Sequence, residues 1–283
     1  MPFRLVQLSD THLSAERAFG VANFDALLAG ITADPPDLVV ATGDLALDDP
    51  DDAVERAFAR AQFDRCAAPW RAVPGNHDIG DDGPDPWMGE PVTTARRSAW
   101  VEAWGADWWV EEADEWLVVG LDSLLWASGL PAEEAQWAWL AGVAAGAGSR
   151  PVMLVVHKPL TLGGAERVDG GQKCVTPEGR RRLREVLGPA NLRLVASGHL
   201  HQFRAMARDG HVAVWAPSTC FVSHPSEPSA YGAAKTVGAV EYRFDGRAVT
   251  WRLLRPAAMV DHDVAVLAGG ARSLRWAPPR PAA

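Results

Sequence analysis

Five short apolar runs of this 283-residue chain each lead directly into aspartate, asparagine or histidine. Short runs rich in valine and leucine are typical of buried strands. The runs, each with the polar residues that follow it, are residues 3–8 with Asp10 and His12, 38–41 with Asp44, 71–73 with Asn76, 152–156 with His157, and 192–196 with His199 and His201. Binding sites of open α/β sheets lie just beyond the carboxyl ends of the strands. We therefore expect the seven side chains to meet at one rim.

These side chains offer two carboxylates, one amide and four imidazoles, a set that suits transition metals. Imidazole binds zinc, iron, manganese and cobalt, and carboxylate and amide oxygens suit harder ions. No cysteine lies in the five segments, which disfavours a thiolate zinc site or an iron–sulfur cluster. Seven ligands are too many for one ion and predict two ions that share a carboxylate. Two metals roughly 3.5–4 Å apart can hold both the attacking and the leaving oxygen of a phosphoryl displacement.

Each motif taken alone has a simpler structural explanation. Asp10-Thr11-His12 could be a turn with an Asx hydrogen bond, and Gly43-Asp44 is common in turns. A single histidine after a strand, such as His157, is more often part of the core. Gly198-His199-Leu200-His201 places two imidazoles on one side of an extended segment. Because five unrelated coincidences in this order are far rarer than one site, the combination predicts a functional site.

The order of these motifs resembles that of the calcineurin-like metallophosphoesterases. The shared motifs are Asp10-x-His12, Gly43-Asp44, Gly75-Asn76-His77-Asp78, His157 and Gly198-His199-x-His201, and the resemblance extends from residue 3 to about residue 220. It implies an α/β fold, a four-layer α-β-β-α sandwich of two mixed β-sheets flanked by helices. It also implies hydrolysis of a phosphoric ester at a dinuclear metal centre.

The resemblance further implies a role for each site residue. The first metal would be held by Asp10, His12, Asp44 and His201. The second would be held by Asp44, Asn76, His157 and His199, so that Asp44 bridges the two ions. His77 would stabilise the transition state or act as general acid, with Asp78 orienting it, and a hydroxide bridging the metals would attack phosphorus in line. Manganese, iron, zinc and cobalt all stay open as the metals, because these ligands accept each of them.

The chain departs from the motifs of several subgroups of this family. These departures narrow the resemblance to the remaining subgroups. Purple acid phosphatases have a tyrosine where this chain has Leu47, and lipid-A pathway pyrophosphatases usually carry arginine at the position of His77. Phosphoprotein phosphatases have Gly-Asn-His-Glu, whereas this chain has Gly-Asn-His-Asp. The remaining resemblance is to the bacterial phosphodiesterase branch, which includes 3′,5′-cyclic-nucleotide and glycerophosphodiester hydrolases. Members often have a second histidine where Lys158 stands, and this lysine could pair with a phosphate or cap the strand.

The charge of the chain favours a small substrate. A net charge of −9 and a pI near 5.4 disfavour a nucleic-acid surface, which would carry a basic stripe. Two bound dications would offset the ligand carboxylates and attract a phosphodiester anion. We therefore predict a small phosphodiester as substrate and no nucleic acid polymer as partner. The alternatives are a phosphomonoesterase of the same fold, a catalytically silent metal-binding scaffold and a DNA-processing nuclease, and the charge argues against the nuclease.

Length and cysteine content predict one domain in a reducing compartment. We assign residues 1–263 to a single domain and residues 264–283 to a C-terminal tail. The three cysteines are odd in number and lack metal-ligand spacing, which favours a cytoplasmic protein. The first predicted strand leaves no room for a signal peptide, and no apolar stretch approaches the ~20 residues that cross a bilayer, so no membrane partner is expected. A homodimer is predicted only because dimers are the commonest closed assembly.

Helical periodicity and capping residues predict helices over 23–31, 51–65 and 93–104, with two more that open at Pro131 and Thr176. Hairpins are predicted over 202–216 and around Asp245-Gly246. The acidic run 48–52 is interpreted as a helix start with Pro50 in the first turn. The arginines of 180–184 are interpreted as a solvated face. The tryptophans concentrated between residues 87 and 139 are expected to fill the core rather than form a substrate wall or a dimer face.

Overall fold

Two β-sheets form the centre of the structure, a computed structural model that describes residues 2–47, 49–82, 90–163, 173–188, 190–223 and 232–263. The strands are β1 (Phe3–Leu8), β2 (Leu38–Thr42), β3 (Trp70–Val73), β4 (Trp109–Ala113), β5 (Trp116–Gly120), β6 (Pro151–Val155), β7 (Asn191–Ser197), β8 (Arg204–Arg208), β9 (His211–Trp215), β10 (Phe221–Val222), β11 (Ala239–Asp245), β12 (Ala248–Leu254) and β13 (His262–Asp263). The helices are α1 (Ala18–Ala33), α2 (Ala53–Phe63), α3 (Asn76–Ile79), α4 (Thr94–Trp104), α5 (Pro131–Gly146) and α6 (Pro177–Leu187).

Both sheets mix parallel and antiparallel strands. The first has the order β12-β11-β1-β2-β3, and the second has the order β4-β5-β6-β7-β9-β8. In the first sheet β1, β2 and β3 are parallel, and β11 lies antiparallel beside β1. In the second, β5, β6, β7 and β9 are parallel, with β4 and β8 antiparallel at the edges. The parallel strands of each sheet therefore end at the same rim, as the position of the polar residues requires.

The sheets pack face to face, and helices cover their outer faces. Alternate side chains of β1 point to opposite sides. Leu5 lies in the apolar core between the two sheets, and Val6 lies in the core that α1, α2 and α4 close over the first sheet. A third core packs α5 and α6 against the second sheet, with Leu140 and Leu183 among its buried residues. These layers confirm the predicted four-layer α-β-β-α sandwich.

The predicted start of α2 is wrong in one respect. The carboxylate of Asp52 accepts the backbone N–H groups of Val54 and Glu55 at 2.8 and 3.0 Å, which makes Asp52 the N-cap. The helix begins at Ala53, and Pro50 therefore precedes the cap instead of lying in the first turn. A carboxylate at the N-cap accepts hydrogen bonds from free N–H groups in the first turn of a helix, and a proline side chain has no atom that can do so. Asp52 therefore sets the start of α2.

Most of the described tryptophans between residues 87 and 139 fill the core, and Trp108 and Trp139 pack against it while partly exposed. Trp100, Trp116, Trp126 and Trp137 are at most 2% exposed, which agrees with the core interpretation. Trp87 lies outside the described residues.

The arginines of α6 do not all lie on a solvated face, as had been predicted. Arg180 is buried and donates to the Leu160 carbonyl at 2.9 Å, so the solvated-face interpretation fails at this position.

Among the helices that the structure describes, none combines the length and the apolar character that a membrane span requires. The predicted tail of residues 264–283 lies outside the described residues. The domain boundary at residue 263 and the cytoplasmic location therefore stay predictions.

Candidate metal centre

The structure brings all seven predicted ligands together at the carboxyl ends of β1, β2, β3, β6 and β7. One group contains Asp10, His12, Asp44 and His201, whose ligand atoms all lie within 4.8 Å of one another. A second contains Asp44, His157 and His199 by the same measure. The side-chain oxygen of Asn76 lies 3.0 Å from Nε2 of His157, which joins it to the second group. Asp44 belongs to both groups, as a bridging ligand would.

In the first group, ring nitrogens of two histidines and a carboxylate oxygen face one another. The Nδ1 atom of His201 lies 3.1 Å from the Phe221 carbonyl, which can only accept, so this nitrogen carries a proton. The other nitrogen, Nε2, lies 3.2 Å from His12 Nε2 and 3.4 Å from an Asp10 oxygen. These three atoms would be the donors to a cation bound between them, and a carbonyl on the far nitrogen is the usual support of a metal-bound histidine.

The second group repeats this arrangement. The Nδ1 atom of His157 donates to the Thr42 carbonyl at 2.7 Å, so Nε2 is the nitrogen that would give its electron pair to a metal after losing its proton. That nitrogen faces Asn76 Oδ1 at 3.0 Å, His199 Nδ1 at 3.1 Å and Asp44 Oδ2 at 3.4 Å. The donor set therefore fits a metal ion in the second position as well as in the first.

The electrostatics of the site favour bound positive charge. Burial alone would lower the pKa of His157, but the neighbouring Asp44 carboxylate outweighs it and raises this pKa to about 9. Burial together with the charge of His77 lowers the pKa of His12 to about 3. Burial and His157 likewise lower the pKa of His199 to about 3, so both rings are neutral near pH 7. Neutral imidazoles beside ionised carboxylates are the form in which these groups bind metals.

The backbone is strained at five of the seven ligands. Among the described residues, eight other than glycine have positive φ, and five of them are predicted ligands. These five are Asp10 (φ 49°), His12 (39°), Asp44 (53°), His199 (69°) and His201 (52°). Left-handed backbone at such residues costs of order 1–3 kcal/mol each and concentrates at functional sites. The strain favours a functional site over a set of ordinary turns.

Two glycines of the motifs are required by close approach of the neighbouring loops. A Cβ atom on Gly75 would lie 2.2 Å from Asp44 Oδ1, and one on Gly198 would lie 1.8 Å from Ser9 Oγ. Real Cβ atoms do not come so near to other heavy atoms, so both positions exclude a side chain. The glycines allow the separate strand ends to bring their ligands together.

The structure gives Asp78 a structural role that the sequence did not predict, and its predicted role in orienting His77 stays a prediction. Its Oδ1 atom accepts the N–H groups of Leu45 and Ala46 at 2.9 and 3.3 Å, and Oδ2 accepts that of Gly75 at 2.8 Å. Burial and the charge of Asp44 raise the pKa of Asp78 to about 7. The carboxyl group therefore ties the loop of Asp44 to the loop of Gly75, and none of its three donors belongs to the His77 ring.

His77 lies beside the first group of ligands. Its backbone N–H donates to Asp44 Oδ1 at 2.9 Å, and its half-buried ring stands edge-on to the His12 ring with 4.8 Å between the centroids. The side chain can therefore face a group bound at the metal centre without being one of the seven ligands.

Lys158 is fully buried and forms ion pairs with Asp81 and Asp82. Of the two possibilities left open for this lysine, contact with a substrate phosphate is therefore not supported. The two aspartates follow the Gly-Asn-His-Asp motif, and nothing in the sequence places them next to Lys158. Residues 83–89, which come after them, lie outside the described residues.

Phe221 is a site residue that sequence reasoning missed. Its carbonyl accepts a hydrogen bond from His201 Nδ1. Its ring stacks on that of His12 with 5.0 Å between centroids and lies tilted against that of His201 with 4.6 Å between centroids. It lies 20 residues beyond the last ligand in a segment without a motif, so no sequence signal identifies it.

Comparison with known proteins places this site in a family. The model of the calcineurin-like phosphoesterase family matches residues 3–203. The chain belongs to the calcineurin-like phosphoesterase family, which confirms the resemblance read from its motifs. The 3′,5′-cyclic adenosine monophosphate phosphodiesterase CpdA of Escherichia coli (strain K12) is 28% identical over 234 residues, which cover 78% of this chain and 78% of that protein.

Two solved structures share the fold. A dimetal phosphatase from Danio rerio has a TM-score of 0.61 at 12% identity, over 92% of this chain and 98% of that one. GAP50, described as the anchor in the inner membrane complex of Plasmodium, has a TM-score of 0.66 at 13% identity, over 92% of this chain and 86% of that one. At these identities the likeness establishes the architecture alone.

Proposed function

We propose that the protein is a phosphodiesterase that uses two metal ions to hydrolyse a small phosphodiester, with a 3′,5′-cyclic nucleotide as the first candidate substrate and a glycerophosphodiester as the second. The observation that carries this proposal is the convergence of seven buried or half-buried ligands into two groups that share Asp44. Members of a phosphoesterase family that keep such a site have the means to hydrolyse phosphoric esters.

The first ion would be held by Asp10, His12, Asp44 and His201, and the second by Asp44, Asn76, His157 and His199. Manganese, iron, zinc and cobalt all suit this donor set. Bound here, the ions would supply Lewis acidity at the phosphoryl group and a nucleophile derived from water at neutral pH. The ionised carboxylates of Asp10 and Asp44 provide the negative charge that retains the ions, and the neutral rings of His12 and His199 add electron-pair donors.

His77 would stabilise the transition state or act as the general acid. Its ring is half-exposed and lies against His12, whereas the ligands of the first group are buried. A residue that reaches the substrate without binding metal can stabilise charge on a phosphoryl oxygen or donate a proton to the leaving oxygen. The hydrogen bond from the His77 backbone N–H to Asp44 holds this residue beside the bridging carboxylate.

Preference for a diester is supported by the 28% identity with CpdA, a cyclic-nucleotide phosphodiesterase by name. The acidic chain, with a net charge of −9, supports a small substrate over a nucleic acid polymer. The presence of the complete ligand set supports catalysis over a silent scaffold.

Initial rates of the manganese-reconstituted protein on bis-p-nitrophenyl phosphate and p-nitrophenyl phosphate test the proposal. Faster hydrolysis of the diester is expected, followed by turnover of 3′,5′-cyclic AMP or glycerophosphodiesters in a panel of natural substrates. Faster hydrolysis of the monoester would replace the proposal with a phosphatase. No hydrolysis of either compound or of the panel, with both metals bound, would favour the scaffold.

A further inference from the structure

Behind Asp10, a chain of buried hydrogen bonds extends away from the candidate metal centre. The Tyr242 hydroxyl donates to Gln7 Oε1 at 2.8 Å, and Gln7 Nε2 donates to Thr42 Oγ1 at 3.0 Å. The Thr42 hydroxyl donates to Ser9 Oγ at 2.7 Å, and the Ser9 hydroxyl donates to Asp10 Oδ2 at 2.5 Å. All five residues are 0% exposed, so water cannot replace any of these contacts.

Gln7 occupies a position of β1 at which an apolar residue is expected. A role in packing alone therefore does not explain its hydrogen bonds. The alternation along β1 puts Leu5 in the apolar core between the sheets, and the next residue on that side is Gln7. Tyr242 belongs to the same core. An apolar side chain would satisfy the packing, and a polar group buried here is tolerated only because it is fully hydrogen-bonded. The retained polar groups therefore point to a task at the end of the chain.

The hydrogens of the chain all point towards Asp10. An ionised carboxylate accepts hydrogen bonds and cannot donate them, so the Ser9 hydroxyl must donate its hydrogen to Asp10. Ser9 Oγ then accepts the hydrogen bond from Thr42. The Thr42 hydroxyl also lies 3.3 Å from the Leu8 carbonyl, which is farther away than its other acceptor, Ser9 Oγ. Donation in one direction strengthens successive hydrogen bonds in a buried network. The chain thereby holds Asp10 Oδ2 in a fixed position behind the candidate metal centre.

Gln7 also connects the two sheets. The second hydrogen of its amide group goes to the Ser197 carbonyl at 3.1 Å, at the end of β7. Two residues later, the His199 N–H donates to Asp10 Oδ2 at 3.0 Å. One amide group therefore fixes the ends of β1, β2 and β7, which carry Asp10, Asp44 and His199.

We infer that Gln7 is a positioning residue of the metal centre, acting on Asp10 through Thr42 and Ser9 with Tyr242 as its anchor. The Ser9 hydroxyl holds Asp10 Oδ2, which leaves Oδ1 as the oxygen that faces His201 at 3.4 Å. This inference rests on the proposed function, because it assigns the residues that prepare the first metal position. The outer partners of metal ligands commonly change metal affinity by ~10–100-fold.

Manganese affinity of the full-length protein, measured by competition with a fluorescent chelator, tests this inference without reference to activity. Gln7→Leu and Ser9→Ala are expected to weaken the binding step that involves Asp10 by ~10–100-fold. Tyr242→Phe, which keeps the ring and removes only the hydroxyl, is expected to weaken it by about 2–10-fold. Tyr242→Phe keeps the test usable if Gln7→Leu does not fold.

Gln136→Leu is the matched control. Gln136 is also 0% exposed, and its amide group bonds Trp126 Nε1 at 3.3 Å and the Asp122 carbonyl at 3.1 Å on the helix-covered side of the second sheet. The Gln136→Leu variant should lose stability, as Gln7→Leu does, but should bind manganese with the affinity of the wild type. Equal manganese affinity of Ser9→Ala, Tyr242→Phe and wild type would overturn the inference alone. A wild type that binds no metal would overturn the proposed function and this inference with it.

Discussion

Asp44 Oδ1 accepts the backbone N–H of His77 at 2.9 Å, while Asp44 Oδ2 faces His157 at 3.4 Å. The carboxylate that belongs to both ligand groups is thus held by the residue assigned to proton transfer. Because the bond uses the His77 backbone, a substitution of the His77 side chain leaves it in place. Metal binding and proton transfer can therefore be separated by mutation.

His77→Ala is expected to leave metal content unchanged and to lower turnover of the diester by ~10²–10⁴-fold, the usual contribution of a positioned acid or base. Metal content by elemental analysis and turnover on the same sample provide the check. Turnover equal to that of the wild type would remove His77 from the mechanism. Loss of metal in this variant would instead make it a ligand.

Gly75→Ala is expected to abolish tight metal binding, because the new methyl group would lie 2.2 Å from Asp44 Oδ1 and 2.4 Å from its backbone nitrogen. Gly30→Ala is the matched control, since a Cβ on Gly30 within α1 meets nothing within 4 Å. The control should gain roughly 0.4–1 kcal/mol in the free energy of unfolding and keep its metals. Normal metal content in Gly75→Ala would show that the Asp44 loop moves without cost.

Lys158→Met is expected to destabilise the fold by ~3–5 kcal/mol, because it leaves Asp81 and Asp82 buried without their cation. Urea unfolding near pH 7 measures the loss. Arg181→Met, which removes an exposed ion pair with Glu185, should change stability by no more than about 1 kcal/mol. A stable Lys158→Met protein with a greatly raised KM for the diester would return Lys158 to the substrate.

Glu241 predicts an acid-dependent loss of stability. Burial alone would raise its pKa, but hydrogen bonds from Arg252 and Arg243 outweigh this and lower the pKa from 4.5 to about 2. The carboxylate therefore stabilises the fold at pH above about 4.5, and that contribution disappears as the pH falls from about 4.5 to about 2.

Glu241→Gln should lower the free energy of unfolding by about 1–3 kcal/mol at pH 7, and the difference from wild type should shrink at pH 3. Glu134→Gln, at an exposed pair with Arg182, is the control and should show a much smaller effect at pH 7. A difference between Glu241→Gln and wild type that stays constant from pH 7 to pH 3 would contradict the assignment.

The sequence predicts the ligand groups because each ligand directly follows a strand that the hydrophobic pattern reveals. Short apolar runs identify β1, β2, β3, β6 and β7, and parallel pairing within each sheet then brings their ends to one rim. The four layers were anticipated because the motifs resemble those of the calcineurin-like metallophosphoesterases.

Contacts between distant segments could not be predicted in this way. The packing of Phe221 on His12 and the ion pairs of Lys158 depend on how loops fold over the rim, which no local pattern encodes. The backbone partners of Asp78 were missed for the same reason, since Leu45 and Ala46 lie on another strand end. Gln7 looks like an ordinary strand residue until β11 and β7 are placed beside it.

Metal titration of diester hydrolysis tests the central claim most directly. The protein is stripped with a chelator, and manganese is returned in measured amounts while bis-p-nitrophenyl phosphate hydrolysis and bound metal are recorded together. The proposed site predicts no hydrolysis by the stripped protein and a maximal rate once about two equivalents are bound, with Asp44→Ala inactive throughout. Full activity in the stripped protein, or in Asp44→Ala, would contradict the proposed metal centre.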